Sequence, residues 1–246
     1  MRKLAALFLV LGAVYCLDGQ QRVPVVLELF TSEGCSSCPP ADRLIAALDK
    51  TQPISGVEVI VLSEHVDYWN QLGWKDPYSA HLFSERQSEY AEALHVEDIY
   101  TPQALIDGHL EAVGSNSSKV SEAIEHAAHE RKLPLALIAT RTAETMQVHL
   151  TVTGDEIEIH RSTLYLALAE NAAESQVSRG ENAGHSLTHV SVVRRLVALD
   201  KFQHGNQVDT VLKLDSNWGA HGLRVIAFLQ EKSSRRIVGA AMQASN

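Results

Sequence analysis

The chain has 246 residues, 45% of them hydrophobic, and a formal net charge of -9 at pH 7. This length and composition allow one large or two modest domains, each with a packed core. The excess of acidic residues argues against a nucleic-acid-binding protein, which needs a basic face, and against binding to an anionic membrane surface.

The N-terminus is typical of a secretory signal peptide. Arg2 and Lys3 provide positive charge, and the apolar run 4–15 that follows them is too short to span a bilayer comfortably. Lipid attachment at Cys16 is an alternative that the bulky residue before it disfavours. We therefore expect residues 1–18 to be removed. The mature protein is then exported, periplasmic or secreted and without a membrane anchor, in a compartment where disulfides persist.

The next part of the chain predicts alternating strands and helices. Apolar runs, helical spacing and turn residues predict, in order, a strand at 25–31, a helix at 39–48, a strand at 57–62, a helix at 76–94, two strands within 100–114 joined at Asp107-Gly108, and a helix at 117–129. This order favours parallel pairing with a terminal antiparallel hairpin. We predict an α/β domain over residues 22–132.

After Leu133-Pro134 the pattern changes to β-rich runs with alternating polarity, separated by Gly, Asn and Asp. We count about seven short strands and one possible short helix at 190–199, which together are typical of a β-sandwich. We therefore predict an all-β sandwich-like domain over residues 134–246.

Two of the three cysteines, Cys35 and Cys38, lie between the first predicted strand and the first predicted helix. A bridge between them closes a very small loop and adds little stability, which disfavours a structural staple. A closed zinc site would need histidines from elsewhere. A helix N-terminus stabilises a thiolate, and at this spacing the second thiol can resolve a mixed disulfide formed by the first. The pair therefore indicates thiol–disulfide chemistry.

Glu28 and His65 are candidates for proton transfer. Glu28 is a charged residue in an apolar strand, on the same strand face as Val26 and Phe30; if it is buried, its pKa should rise and it could accept a proton from a thiol. The alternative is a strand-edge glutamate that reaches solvent. His65 follows the second strand, where α/β proteins place binding loops, and could move protons or bind a metal.

Other polar and aromatic residues have less specific interpretations. Trp69 and Trp74 either line a cleft above the cysteines or pack against the second domain. His185 and His189 would share a face only in a helix, and we weigh a metal site there against ordinary strand or surface positions.

The order of elements over residues 23–131 resembles the thioredoxin superfamily. More closely, four strings resemble the bacterial exported family of unknown function 1223: ELFTSEGCSSCPPAD, LSEHVDYWNQLGWKDPYS, YTPQALIDG and RGENAGHSLTHVSVVR. The resemblance implies an α/β thioredoxin-like first domain, with Cys35 as the attacking thiol and Pro102 as a cis-proline beside the cysteines that shapes the substrate groove. Because Pro39 follows Cys38, the helix start leaves open which cysteine attacks.

The hypothesis we favour is an exported thiol–disulfide oxidoreductase without a cofactor, acting on protein thiols or disulfides. Its predicted catalytic residues are Cys35, Cys38, Pro102, Glu28 and His65. This function requires the two sulfurs to lie exposed, opposite the Thr101-Pro102 peptide. One alternative is a protein that binds a soft metal such as copper through Cys35, Cys38 and His65. The other is a redox-inert interaction protein.

Overall fold

The computed structural model describes residues 22–199, 206–219 and 222–245. The predicted signal peptide, residues 1–18, and Cys16 lie outside these ranges. Across the described ranges, every helix is too short or too polar to cross a lipid bilayer.

The first half of the chain has the predicted order of elements: strand β1 (Val23–Thr31), helix α1 (Pro39–Thr51), strand β2 (Val57–His65), helix α2 (His81–Leu94), strands β3 (Gln103–Ile106) and β4 (Leu110–Val113), and helix α3 (Ser117–Ala128). The predicted start of the second helix at Asp76 is wrong. The Asp76 side chain accepts hydrogen bonds from the backbone N–H groups of Glu33 and Tyr78. Asp76 is therefore a loop residue, and α2 begins five residues later.

The second half is β-rich, as predicted. It contains strands β5 (Leu135–Arg141) and β6 (Thr145–Val152), the short helix α4 (Glu156–His160), and strands β7 (Ser162–Gln176), β8 (Ser186–Leu199), β9 (Gln207–Lys213), β10 (Leu223–Glu231) and β11 (Ile237–Ser245). The predicted short helix at 190–199 is wrong, because this segment is part of β8 and pairs with β7. Its many valines suit a strand better than a helix.

The strands form two sheets, so the fold is mixed α/β with a large and a small sheet. The large sheet has the order β11-β10-β7-β8-β2-β1-β3-β4, and the small sheet has the order β5-β6-β9. The parallel contact of β2 with β8, at Ser63 and Val192, joins strands from both sides of the predicted boundary near residue 133. The division into domains 22–132 and 134–246 stays a prediction.

Alternation along β1 decides which side chains can reach the site. Leu27 and Leu29 pack with α1 and α3 on one face of the sheet, whereas Val26 and Phe30 pack with α2 on the other. The last residue, Thr31, shares the face of Leu29, and its hydroxyl donates to Asp42 of α1 over 2.9 Å. Side chains at odd positions of β1 therefore face α1.

The predicted turn at Asp107-Gly108 is confirmed and gives a test of the fold. Asp107 and Gly108 have φ of 44° and 70°, and a Cβ added to Gly108 would overlap the Arg235 carbonyl oxygen. We expect Gly108→Ala to lower the free energy of unfolding by about 2–3 kcal/mol. The matched control is Gly56→Ala, with φ of 74° and no atom within 4 Å, which should cost only about 1 kcal/mol. Equal losses in urea unfolding would contradict the role of the Arg235 contact.

Candidate active site

The cysteine pair lies in the loop that joins β1 to α1. Cys38 immediately precedes α1, and its carbonyl oxygen accepts hydrogen bonds from the N–H groups of Ala41 and Asp42. The Sγ atoms of Cys35 and Cys38 are bonded to each other as a disulfide. The predicted position of the pair, between a buried strand and a helix N-terminus, is confirmed.

The Thr101-Pro102 peptide faces this disulfide and is cis, as the resemblance implied. The Thr101 carbonyl oxygen lies 3.8 Å from Cys35 Sγ, and the Ser37 hydroxyl lies 3.3 Å from the same sulfur. The Trp69 indole N–H donates to the Thr101 hydroxyl over 2.9 Å. The structure thus brings the cysteines and the Thr101-Pro102 peptide together, with Trp69 beside them.

The sulfurs are not exposed, and that expectation is wrong. Cys35 and Cys38 each have 0% of their surface exposed, although Ser36 and Ser37 between them are exposed. The reason is that the loop packs between the Thr101-Pro102 peptide and a segment from the other half of the chain. In that segment the Asn182 side-chain amide donates to the Cys35 carbonyl oxygen over 2.9 Å.

Five buried titratable side chains lie on the α1 side of the sheet and form what we call the acid–histidine cluster: Glu33, Asp42, His65, Asp76 and His189. Asp42 follows Cys38 by one helical turn and therefore lies on the same face of α1. His189 comes from β8 and lies between two acids, with Nε2 3.3 Å from Glu33 Oε1 and Nδ1 3.7 Å from Asp42 Oδ2.

His65 and Asp76 form the ion pair of this cluster. His65 Nδ1 lies 2.7 Å from Asp76 Oδ2 and both side chains are fully buried. Burial disfavours the protonated ring, but the charge and hydrogen bond of Asp76, together with the other buried acids of the cluster, outweigh it and raise the pKa of His65. Burial likewise favours the neutral Asp76 acid, but His65 and two backbone N–H groups hold the pKa of Asp76 below its usual value. The other ring nitrogen, Nε2 of His65, is buried without a hydrogen-bond partner.

These opposite pKa shifts predict a pH dependence of stability. Because the pKa of Asp76 is lowered, this group stabilises the fold above its ordinary pKa of 3.8, and the stabilisation is lost as the pH falls below that value. Because the pKa of His65 is raised, this group stabilises the fold below its ordinary pKa of 6.5, and the stabilisation is lost as the pH rises above that value. We expect wild type to exceed Asp76→Asn in free energy of unfolding by about 2 kcal/mol between these two values. Urea unfolding from pH 3 to pH 9 measures the difference, and a constant difference would contradict the ion pair.

Most of the acid–histidine cluster was missed by sequence reasoning. Asp42 could have been found, because a residue four positions after Cys38 in a helix shares its face. Burial raises the pKa of this carboxyl above its usual value. His189 carries no such local signal, since it reaches Glu33 and Asp42 only through the pairing of β8 with β2. His185 is exposed and does not share a site with His189.

Glu28 is not brought together with the cysteines. It has the strand parity of Val26 and Phe30, so its carboxylate lies on the α2 face, where it accepts from Arg86 Nε over 2.5 Å and from the Tyr90 hydroxyl. The alternative of a strand-edge residue in solvent is also wrong, because Glu28 is fully buried. Its position on the opposite face of the sheet from α1 leaves it without a direct path to a thiol.

The tryptophans pack within the site. Trp74 donates its indole N–H to Glu33 over 2.7 Å, and its Cβ lies against Gly180 in the segment between β7 and β8. Among the described residues, no group of three or more His, Cys, Asp and Glu side chains is arranged to hold a metal ion. With the sulfurs bonded to each other, this does not test copper binding by a reduced pair, which stays a prediction.

Among the solved structures similar to this chain, two match it over most of its length with TM-scores of 0.68 and 0.61. Protein AGR_C_4864 from Agrobacterium tumefaciens has a TM-score of 0.68 and 25% sequence identity, and the match covers 92% of this chain and 96% of that one. HBP35 of Porphyromonas gingivalis has a TM-score of 0.61 and 15% identity, over 91% of this chain and 75% of that one. At 15% identity the second likeness concerns the fold alone.

No curated protein matches the sequence. A family model described as "Protein of unknown function (DUF1223)" matches residues 26–230. This range includes most of β1, the cysteine loop, the Thr101-Pro102 peptide and His189. The chain therefore belongs to the DUF1223 family.

Proposed function

We propose that this protein is an exported, thioredoxin-like thiol–disulfide oxidoreductase. The observation that carries the proposal is the disulfide at the N-terminus of α1, facing the Thr101-Pro102 peptide and with buried acids and histidines beside it. The strand order β2-β1-β3-β4, with β1 parallel to β2 and antiparallel to β3, supports the thioredoxin-like interpretation.

The reaction is an exchange with a protein dithiol. A thiolate of the partner attacks Cys35 Sγ, the Cys35–Cys38 bond breaks, and the Cys38 sulfur leaves with the electron pair and takes up a proton. The partner's second thiol loses its proton and attacks the mixed disulfide, which releases Cys35 as a thiolate. The partner is oxidised to a disulfide and the cysteine pair gains two electrons. The reverse sequence of steps reduces a partner disulfide.

The acid–histidine cluster supplies a proton store for the leaving sulfur. Asp42 lies one turn from Cys38 on the same face of α1, and burial raises its pKa, which favours the protonated acid. A neutral carboxylic acid can give its proton to the Cys38 thiolate. In this proposal Asp42 takes the role predicted for Glu28, while His65 orients the cluster through Asp76.

The mature protein would act outside the cytoplasm, without a cofactor, on protein thiols or disulfides. This part of the proposal rests on residues 1–18 and on the CxxC pair. Cell fractionation of the full chain, with intact mass of the processed protein, tests the location.

The activity is tested with the mature protein in both directions. The oxidised protein is mixed anaerobically with a reduced two-cysteine protein, and the reduced protein with insulin, and disulfide transfer is followed by alkylation and mass spectrometry. We expect transfer with wild type and none with the Cys35→Ser/Cys38→Ser double variant. The proposal would be overturned if wild type and the double variant showed the same background rate of disulfide transfer in both directions.

The burial of both sulfurs favours a second candidate, a redox-inert interaction protein in which the disulfide only shapes the loop. On this candidate the double variant keeps the phenotype of the wild type in the native host, whereas an oxidoreductase loses it. Copper binding is separated by metal analysis of the reduced protein: stoichiometric copper that Cys35→Ser abolishes, without exchange activity, would favour a metal carrier.

A further inference from the structure

The connection between β7 and β8 is a defined loop that reaches across to the cysteines. We call residues 178–185 the 178–185 loop. Its base is closed by two hydrogen bonds, from the Val177 N–H to the His185 carbonyl over 3.0 Å and from the Gly184 N–H to the Val177 carbonyl over 2.8 Å. It contains RGENAG, the beginning of the RGENAGHSLTHVSVVR string that gave the family resemblance, and the proposed function assigns no role to these six residues.

Two side chains of this loop hold the cysteine loop. One Glu181 carboxylate oxygen accepts from the Ser36 N–H over 3.0 Å and from the Ser36 hydroxyl over 2.7 Å. The Asn182 side-chain amide donates to the carbonyl oxygens of Glu33 and Cys35, over 2.8 and 2.9 Å. Asn182 is buried, whereas Glu181 and Ser36 are exposed.

The geometry points to the 178–185 loop as a gate that controls access of a partner thiol to Cys35. The Glu181–Ser36 hydrogen bonds keep this gate closed, and a partner displaces them. A thiolate must approach Cys35 Sγ in line with the bond to Cys38, which requires free space on the far side of the sulfur. The structure offers none, because Cys35 is fully buried and its sulfur faces Ser37 and Thr101. The cysteine loop therefore has to shift before exchange can begin.

Of the two residues that hold the cysteine loop, Glu181 can release it more readily than Asn182. It is an exposed side chain bound to an exposed serine, so water or a partner's polar group can replace its hydrogen bonds. The Ser36 hydrogen bonds lower the pKa of Glu181, so the carboxylate stays charged. A charged carboxylate beside the cysteines also repels an incoming thiolate. The hydrogen bonds to Ser36 and the repulsion of the thiolate therefore both slow attack on Cys35.

As a regulator of disulfide exchange, the gate rests on the proposed function. The rate at which a small-molecule thiol reduces the Cys35–Cys38 bond tests the gate by itself. The oxidised mature protein is treated with dithiothreitol, and samples are quenched with an alkylating reagent and weighed. We expect Glu181→Ala to raise the rate of Cys35–Cys38 reduction about tenfold, because two charge-assisted hydrogen bonds are lost. Glu181→Gln keeps an acceptor oxygen but not the charge, and should give an intermediate rate.

The matched control is Glu122→Ala, which removes an exposed, hydrogen-bonded carboxylate from α3 at Lys119 and should leave the rate unchanged. Hydrogen–deuterium exchange of the Ser36 amide gives a second readout, since it should quicken in Glu181→Ala. A Glu181→Ala rate equal to wild type would overturn the gate. A faster rate in a protein that exchanges with no protein substrate would keep the gate and overturn the proposed oxidoreductase.

Discussion

Replacing Cys38 by serine is expected to turn the protein from a turnover catalyst into a trap for its partners. In Cys38→Ser, Cys35 can still attack a disulfide, but no second thiol is present to resolve the mixed disulfide that results. We expect the rate of insulin reduction to fall by about a thousandfold or more. Mixed disulfides should accumulate and should be visible on non-reducing gels of extracts from the native host.

The matched control for this prediction is Cys35→Ser. It removes the sulfur that faces Thr101 and Ser37 and leaves Cys38 at the start of α1. This variant should lose turnover equally and trap few partners. If Cys35→Ser accumulates mixed disulfides and Cys38→Ser does not, the attacking cysteine is Cys38, and the order of steps is reversed. If neither variant forms them, the oxidoreductase proposal fails.

Replacing Arg86 by methionine is expected to cost about 3–5 kcal/mol in free energy of unfolding, because it leaves buried carboxylates without their cation. The Arg86 side chain is 4% exposed, and its guanidinium donates to Glu28 and to the Tyr90 hydroxyl and lies 3.8 Å from Glu64. Both Glu64 carboxylate oxygens are buried without a hydrogen-bond partner, and burial together with the Glu28 charge raises the pKa of Glu64 well above its usual value.

The sign of the pH effect makes this test specific. In Arg86→Met the Glu64 carboxyl loses the cation that lowers its pKa, so it becomes easier to protonate and the loss of stability should shrink as the pH falls. The double variant Glu28→Gln/Arg86→Met also removes the Glu28 carboxylate and should recover part of the loss in urea unfolding at pH 7. A loss that is equally large at pH 5 and pH 8 would mean that lost packing of Arg86 on Tyr90, Tyr165 and Phe228 is the cause.

Much of the first half follows from the sequence by itself. The apolar runs of β1 and β2, the prolines at the start of α1 and the Asp107-Gly108 turn are local signals, and each predicted element is found there. The same is true of Cys35 and Cys38, whose place between a strand and a helix is fixed by their neighbours in the chain. Local periodicity also indicated that Glu28 shares a strand face with Val26 and Phe30.

The tertiary structure alone decided which face of the sheet α1 covers, and therefore that Glu28 meets Arg86 rather than a thiol. It also decided that β8 pairs with β2, which brings His189 and Asn182 to a loop about 150 residues earlier in the chain. Hydrophobic periodicity reports burial within one element and carries no information on which distant element covers it. The burial of the sulfurs and the hold of Glu181 on Ser36 follow from that long-range pairing.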